Sequence, residues 1–356
     1  MKKNMFLAAV CCMALAMVFS ACTRKDLPVL RYRFASQEEG RQLRLANTAY
    51  FDALTQNDID WKLQNTGTTK EEYKEIAAAQ IQEFSEEEKQ ALGKVMDFIE
   101  ARMMELGFRV PMDEEIVFVK NGMRDEGMMG GYTYKNVVFL SADEVRFAPR
   151  IFQADPEFDA DYLEYGLHFI RGLVTHEIFH CLTSNDAQFR RLMYGLIGFT
   201  IEDREREFGS TVRDLLLHNP DVEHYDNWAE FTIDGQKRRC TLLCVYPGTY
   251  AEAAAANPEA HFFDDMHIVL VPIDDPDTMI PIEEATDFYD VMGHNTDYLL
   301  AAEECAADNF SYLISYGFFG HYDLELEKRI VEFIPYETPQ LIRRLHETLM
   351  EYYPRN

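Results

Sequence analysis

The chain has 356 residues, with 62 acidic and 34 basic side chains, and its formal net charge is −28. Such a charge repels the phosphate backbone of nucleic acids and anionic lipid headgroups, so we expect no nucleic-acid partner. The hydrophobic fraction of 47% is enough for a sizeable core, in one large domain or two subdomains.

The N-terminus predicts an export signal followed by a lipid-attachment site. Two lysines precede an apolar run from residue 5 to 18, and Phe19-Ser20-Ala21-Cys22 then resembles a lipobox. We expect residues 1–21 to be removed and acyl chains on Cys22 to anchor the protein to a membrane of the cell envelope. That membrane would be the outer one if the cell has one, with the periplasmic or extracellular face left open. The alternatives are an uncleaved anchor and a simple secretory signal.

Residues 22–35 are predicted to be a tether, and residues 36–356 a single domain. The stretch from 36 to 108 has a helical pattern throughout. Ser85, followed by three glutamates, marks one helix start, and Gly107 marks the end of that helix.

Two strands are predicted next, at 116–120 and 132–140. A loop rich in glycine and methionine, 127–131, separates them.

The most informative segment is a helix predicted at about 161–182, which contains His176-Glu177-Ile178-Phe179-His180. Two imidazoles one helical turn apart point the same way and can bind one metal ion. In zinc hydrolases with this pattern the glutamate is not a ligand. It takes a proton from the metal-bound water, whose pKa zinc lowers to about 7. Gly172, one turn before His176, removes a side chain and lets another segment approach. The segment therefore predicts a site for one Zn²⁺ per chain.

The remaining elements complete an α+β pattern, in which a mixed sheet and the motif helix pack against a mainly helical part. They are a helix at 187–198, strands at 228–233, 239–246 and 266–272, and helices at 298–316 and 338–352.

A catalytic zinc site needs a third protein ligand, with water in the fourth position. Glu304 and Asp308 lie four residues apart on the helix predicted at 298–316. We favour Glu304 as the ligand, and Asp308 as the acceptor of a hydrogen bond that orients a ligand histidine. Glu303 is an alternative ligand, but no acid lies four residues after it. Asp186 is another, although we expect it to cap the next helix.

His176-Glu177-x-x-His180 with a later Glu304-x-x-x-Asp308 resembles the gluzincin metallopeptidases, the thermolysin-like group of zincins. It also resembles a set of uncharacterised bacterial lipoproteins classed as zinc metallopeptidases. The resemblance implies a zincin-like fold, with His176, His180 and Glu304 as zinc ligands, Glu177 as general base and Asp308 as the partner of a ligand histidine. It further implies hydrolysis of a peptide or protein substrate. In zincins the strand shortly before the motif helix commonly holds the substrate backbone by edge pairing, so we expect this of the strand at 132–140, with the glycine-rich loop before it flexing over the cleft. An ordinary hairpin is the alternative.

Gluzincins also use a tyrosine or histidine from a later segment to stabilise the oxyanion. Tyr225 and His224 are our candidates, and His294 and Tyr298 come after them.

Four cysteines remain after the signal and the lipid site, and we expect them to be reduced and buried. A disulfide between Cys181 and Cys305 is left open, because each follows a predicted ligand. The alternative to a peptidase is a catalytically silent metal-binding or protein-interaction lipoprotein on the same fold. A zinc hydrolase that acts on a non-peptide amide is a third possibility.

Overall fold

A computed structural model describes residues 30–110, 112–155, 157–158, 160–261, 263, 265–325 and 330–355. The predicted signal peptide and Cys22 lie outside the described residues, as does most of the predicted tether.

Helices and strands alternate along the chain. The α-helices are α1 (Gln37–Ala46), α2 (Thr48–Ala53), α3 (Gln56–Leu63), α4 (Lys70–Ala79), α5 (Glu86–Leu106), α6 (Ala142–Gln153), α7 (Ala160–Asn185), α8 (Ala187–Leu196), α9 (Ser210–Leu215), α10 (Tyr250–Ala256), α11 (Phe288–Met292), α12 (Ala302–Tyr316) and α13 (Pro339–Tyr352). The strands are β1 (Tyr32–Phe34), β2 (Ile81–Gln82), β3 (Ile116–Asn121), β4 (Gly131–Tyr134), β5 (Val137–Ser141), β6 (Thr200–Ile201), β7 (Asn227–Ile233), β8 (Gln236–Val245), β9 (His267–Pro272), β10 (Ile280–Pro281), β11 (Gly320–Glu325) and β12 (Ile330–Pro335).

The first sheet is mixed and is covered on both faces. Its strand order is β1-β3-β5-β4, and β2 pairs with the end of β3. Strands β1 and β5 run parallel to β3, whereas β4 is antiparallel to β5. Alternate residues of β3 enter two different cores: Ile116 and Phe118 join the large core, and Val117 and Val119 join a smaller one. This double burial explains why the first four residues of both β3 and β5 are apolar.

The predicted strand at 132–140 is in fact the hairpin β4–β5. The two strands meet at Lys135, whose φ of 57° lies in the left-handed region. A tight hairpin turn requires such a φ, and glycine or asparagine usually supplies it. The sequence pattern missed the turn because no glycine marks it.

Strand β1 lies inside the stretch predicted to be a tether. Tyr32–Phe34 pairs in parallel with the start of β3, and the flanking Leu30 and Ala35 are buried. The folded part therefore begins several residues before position 36.

The second sheet is antiparallel throughout, in the order β10-β9-β8-β7-β6, and its strands β7, β8 and β9 lie close to where they were predicted. Leu217 N donates to Cys244 O at the end of β8, and Tyr246 N donates to Leu215 O. These bonds fix the segment that leads into a turn at residues 218–221. The turn lies close to the start of α12.

Helices α7 and α12 pack against each other in the large core. Ser311 Oγ donates to Gly172 O over 2.9 Å, although a Cβ added at Gly172 would lie 3.8 Å from this hydroxyl, an ordinary contact distance, so the approach does not require the glycine. Helix α12 begins at Ala302 rather than at 298, and it ends before Gly317 as predicted. The predicted combination of helices, strands and a mixed sheet is confirmed. Among the described helices, none combines the length and the apolar character that a membrane span requires.

Candidate metal centre

Helices α7 and α12 bring His176, His180 and Glu304 together. His176 Nε2 lies 2.9 Å from Glu304 Oε2, and His180 Nε2 lies 3.6 Å from the same oxygen. One ligand atom from each residue falls within 4.8 Å of the others, so the three could hold a metal ion. Only His176 keeps appreciable exposure, with 12% of its side chain accessible. The cluster therefore meets solvent on one side.

The chemistry of the donor atoms fits a metal ion. His180 Nε2 is buried and has no hydrogen-bond partner within the described part of the chain. A buried polar nitrogen without a partner costs about 1–3 kcal/mol, and a metal ion in this position would remove that cost. Two imidazole nitrogens and one carboxylate form a ligand set known from catalytic zinc sites, although it also suits other transition-metal ions.

A separate carboxylate holds each ligand histidine through its Nδ1 atom. His176 Nδ1 lies 2.9 Å from Asp308 Oδ1, as the spacing of Glu304 and Asp308 predicted. His180 Nδ1 lies 3.0 Å from Glu303 Oε1. Each acid fixes the ring so that Nε2 faces the centre. Glu303, considered above as an alternative ligand, thus supports His180 instead.

Further hydroxyl groups hold these two acids. Tyr194 donates to Glu303 over 2.7 Å, and Thr183 donates to the same carboxylate. Thr296 donates to Asp308 Oδ2. Sequence spacing did not predict these donors, because they come from segments far apart in the chain.

The electrostatics of the ligands couple metal binding to pH. Burial acts to lower the pKa of His176, but its hydrogen bonds to Asp308 and Glu304 outweigh this effect and raise the pKa to about 10. Burial acts to raise the pKa of Glu304, but its hydrogen bond to His176 and the nearby imidazole of His180 outweigh this effect, so this pKa is lowered. Protons would therefore compete with a bound metal ion for the imidazole nitrogens, so any metal affinity would fall as the pH falls.

Glu177 lies between the two histidines in sequence, and it lines a cavity that opens in front of this cluster. Thr133 Oγ1 on β4 donates to Glu177 Oε2 over 2.9 Å. The other oxygen, Oε1, lies next to Gly131, where an added Cβ would be only 2.7 Å away. Burial raises the pKa of Glu177, with the nearby histidines opposing the shift. One oxygen is therefore held, and the other is left to exchange a proton.

The turn at 218–221 supplies two residues that the sequence did not predict. Asn219 Nδ2 donates to Glu304 Oε1. The carboxylate of Asp221 accepts the backbone N–H of Thr133 over 2.6 Å and lies within 4.8 Å of Glu177 and His180 ligand atoms. Burial raises the pKa of Asp221 well above its usual value. The sequence marked this segment only as a turn, because its polar residues are typical of turns.

The structure does not bring Tyr225 to this centre. Its ring packs against Phe208 and His218, with centroids 5.6 and 6.5 Å apart, and it is absent from the described lining of the cavity. His224 pairs with Glu205 at the surface. The physical reason is that residues 222–226 turn away from the cavity toward the second sheet, so the polar turn and the tyrosine after it lie in different places.

Tyr298 and His294 were ranked after Tyr225 and His224 as candidates for the oxyanion donor. Both residues line the cavity. The Tyr298 ring lies 5.8 Å from the His176 ring. Burial and the surrounding carboxylates raise the Tyr298 pKa well above its usual value, so its hydroxyl keeps its proton.

A cavity of about 910 Å³ opens in front of His176 and Glu177. The glycine-rich loop forms part of its wall, through Gly130 and Gly131. Farther along β4, the outward N–H groups are already bonded: Thr133 N to Asp221, and Lys135 N to Glu223 Oε1 over 3.3 Å. The expected edge pairing of a substrate with this strand is therefore blocked beyond Gly131.

Two further sets of residues bear on the sequence predictions. All four cysteines within the described residues are free and buried, as expected for a reduced set. Glu205, His224 and Asp226 also cluster at the surface, but Arg190 binds Asp226 through both oxygens at 2.6 and 2.7 Å. The charge of Asp226 is thereby neutralised.

No family model matches the chain, and neither the curated proteins nor the solved structures include a significant match. What the site does must therefore be argued from its own residues.

Proposed function

We propose that this protein is an exported, lipid-anchored zinc metallopeptidase of the gluzincin type, with a zincin-like fold. One observation carries the proposal. Two histidine Nε2 atoms converge on one oxygen of Glu304, and Glu177 lies beside them at the wall of an open cavity. The ligands in this proposal are His176, His180 and Glu304.

When bound, zinc would polarise the scissile carbonyl and lower the pKa of a water molecule to about 7. Glu177 then accepts the proton of the attacking water at Oε1, because Thr133 occupies Oε2. The same carboxylate returns the proton to the leaving amine. Tyr298 is the donor best placed to stabilise the oxyanion, since it is protonated and lies next to His176.

The open side of the centre favours an enzyme over a structural metal site. Structural zinc sites are usually closed by four protein ligands, whereas three ligands leave a position for water and substrate. A structural site also has no need of a base such as Glu177. The lipid anchor is proposed from Phe19-Ser20-Ala21-Cys22, a few residues before the first described residue, Leu30.

Metal content and peptide hydrolysis test the proposal together. We expect about one zinc per chain in the wild type by mass spectrometry, and a large loss in Glu304→Ala. Glu164→Ala is the matched control, because Glu164 lies on α7 with its side chain largely exposed. Glu177→Gln should keep the zinc and lose roughly a hundredfold or more in hydrolysis of a peptide library.

The other outcomes are equally informative. A wild type without zinc after reconstitution would contradict the metallopeptidase. Zinc retained in Glu304→Ala would mean that the third ligand lies elsewhere. Zinc in the wild type without any hydrolysis would favour the silent metal-binding lipoprotein.

A further inference from the structure

We infer that the substrate is an internal stretch of an extended peptide with large apolar side chains, and that it lies along α7 rather than along the edge of β4. The inference rests on the proposed peptidase function, because it places the substrate at the same metal centre. It names where the peptide lies and which side chains it carries.

One face of α7 lines the cavity over more than three helical turns. The lining residues of this helix run from Tyr165 to Glu177. At 1.5 Å per residue this face is roughly 18 Å long, which matches about five residues of an extended peptide. The cavity is thus longer than a pocket for one side chain, and it ends at the predicted base.

The surface of this face is apolar and aromatic. Tyr165, Phe169 and Leu173 are half-buried and lie at successive turns on the way to His176. The rings of Tyr165 and Phe169 are nearly parallel, with an interplanar angle of 10° and centroids 6.0 Å apart. We name these three residues, two aromatic and one aliphatic, the aromatic track. Large apolar side chains would bury surface against it at about 25 cal/mol per Å².

Two walls turn the track into a groove. On one side, Gly130 approaches so closely that an added Cβ would lie 3.4 Å from the Leu173 side chain. On the other side, Tyr322 of β11 stacks on His168 of α7, with ring centroids 4.2 Å apart. The groove therefore has α7 as its floor, and a peptide in it meets aromatic rings on more than one side.

The bonded edge of β4 excludes the other path. A peptide that extends a sheet must accept the outward N–H groups of the edge strand. Asp221 and Glu223 already accept those of Thr133 and Lys135. Among the outward N–H groups of this edge within the described residues, that of Gly131, at the start of β4, stays available to the substrate backbone, so we place the rest of the peptide over the aromatic track.

The charges of the groove limit the side chains that it accepts. Within the described lining, no lysine or arginine is present, and the ionisable groups are histidines, tyrosines and acids. Asp297 and Glu337 lie on either side of His294 and are mostly exposed. An acidic side chain or a terminal carboxylate would find no lysine or arginine partner in this lining, so the groove favours neutral or basic internal sequences.

Calorimetric titration of eight-residue peptides into the zinc-loaded Glu177→Gln protein tests this inference. The peptides are capped at both ends, and they carry either leucine and phenylalanine or glutamate at the central positions. We expect the apolar peptide to bind and the acidic one to bind at least about tenfold more weakly. Phe169→Ala and Tyr165→Leu should each weaken the apolar peptide about three- to tenfold.

Tyr352→Ala is the control, since Tyr352 is an exposed aromatic residue at the end of α13 and is absent from the described lining of the cavity. It should bind the apolar peptide like the parent protein. Zinc content and circular dichroism identify any variant that does not fold, and Tyr165→Leu keeps most of the apolar surface if Phe169→Ala is unstable.

The outcomes separate this inference from the proposed function. Unchanged binding in both track variants, with the wild type hydrolysing the peptide, would overturn the path along α7 and leave the peptidase intact. Binding that depends on the track, without hydrolysis by the wild type, would support the groove and contradict the peptidase. Absence of any peptide binding would overturn the inference, and hydrolysis measured in parallel would then decide the proposed function.

Discussion

At the scale of single residues, the centre is built as much by the partners of the ligands as by the ligands themselves. Asp308 and Glu303 each hold one histidine through Nδ1, and Asn219 holds the free oxygen of Glu304. Each ligand therefore has one atom engaged by the protein and another directed at the centre. Such partners orient a ligand before the metal arrives, which reduces the entropy lost on binding.

Glu303→Gln should weaken zinc binding about ten- to a hundredfold without abolishing it, because an amide holds the His180 imidazole less strongly than a carboxylate does. Competition with a chromophoric chelator measures this change. Glu164→Gln is the control on an exposed position of α7. Zinc affinity equal to that of the wild type would show that the hydrogen bond at 3.0 Å does not orient His180.

At the scale of elements, the sequence predicted helices and the side chains that share a helix face, but it did not predict contacts between distant segments. Helix α5 starts after Ser85 and ends at Gly107, which has a φ of 84°, as predicted, and Ser85 and Glu88 form a capping box at its start. His176, His180, Glu304 and Asp308 came from spacing within two helices, because a fixed helical period determines which side chains share a face.

Contacts between distant segments left no such pattern. Thr133, Asn219 and Glu303 belong to three separate elements, and only the fold brings them to the centre. The start of α12 was placed too early for a related reason. The segment before it forms a loop in which Thr296 donates to Asp308, and this bond competes with helix formation there.

Strand β4 contributes to the centre through the absence of a side chain. Gly131→Ala would place a Cβ 2.7 Å from Glu177 Oε1 and displace the proposed base. We expect hydrolysis to fall roughly a hundredfold while zinc content stays near one per chain. Steady-state kinetics and mass spectrometry on the same preparation measure both quantities.

Gly195→Ala on α8 is the control for that variant, because an added Cβ there meets no atom within 4 Å. It should leave hydrolysis unchanged and stabilise the helix by about 0.5–1 kcal/mol. Full activity in Gly131→Ala would argue that Oε1 of Glu177 is not the atom that accepts the proton.

At the scale of the whole molecule, the N-terminal helices are joined to the site region by a buried cluster of charges. Arg44 of α1 donates to Asp125 over 2.8 Å and also binds Glu126, and Lys62 of α3 binds Glu126. All four side chains are almost completely buried. The two acids directly precede the glycine-rich loop that ends at Gly131, so this cluster fixes one wall of the cavity.

Arg44→Ala should destabilise the protein by roughly 3–5 kcal/mol, because it leaves the buried carboxylate of Asp125 without its cation. Chemical unfolding followed by circular dichroism measures the change. Arg41→Ala on the same helix should change stability by no more than about 0.5 kcal/mol, since its contact to Glu38 is exposed and 3.8 Å long. Equal stability of the two variants would contradict a structural role for the cluster.

A second set of hydrogen bonds joins the N-terminal helices to the opposite side of the centre. Asp58 belongs to the capping box of α3 and accepts two further hydrogen bonds from His218, at 3.0 Å from its backbone and 2.8 Å from Nδ1. His218 is followed directly by Asn219, which donates to Glu304. Asp58 is therefore a positioning residue for the third ligand, and it acts through the turn at 218–221.

Asp58→Ala separates this positioning role from simple helix capping when it is compared with Glu72→Ala. Glu72 occupies the same place in the capping box of α4, but among the described residues it makes no hydrogen bond to the turn at 218–221. We expect both variants to lose some stability from the cap, with a further loss in Asp58→Ala. Only Asp58→Ala should shift the visible absorption spectrum of the cobalt-substituted protein, because only it releases the residue that holds Glu304. If the two spectra are the same as that of the wild type, the N-terminal helices support the fold without positioning the metal centre.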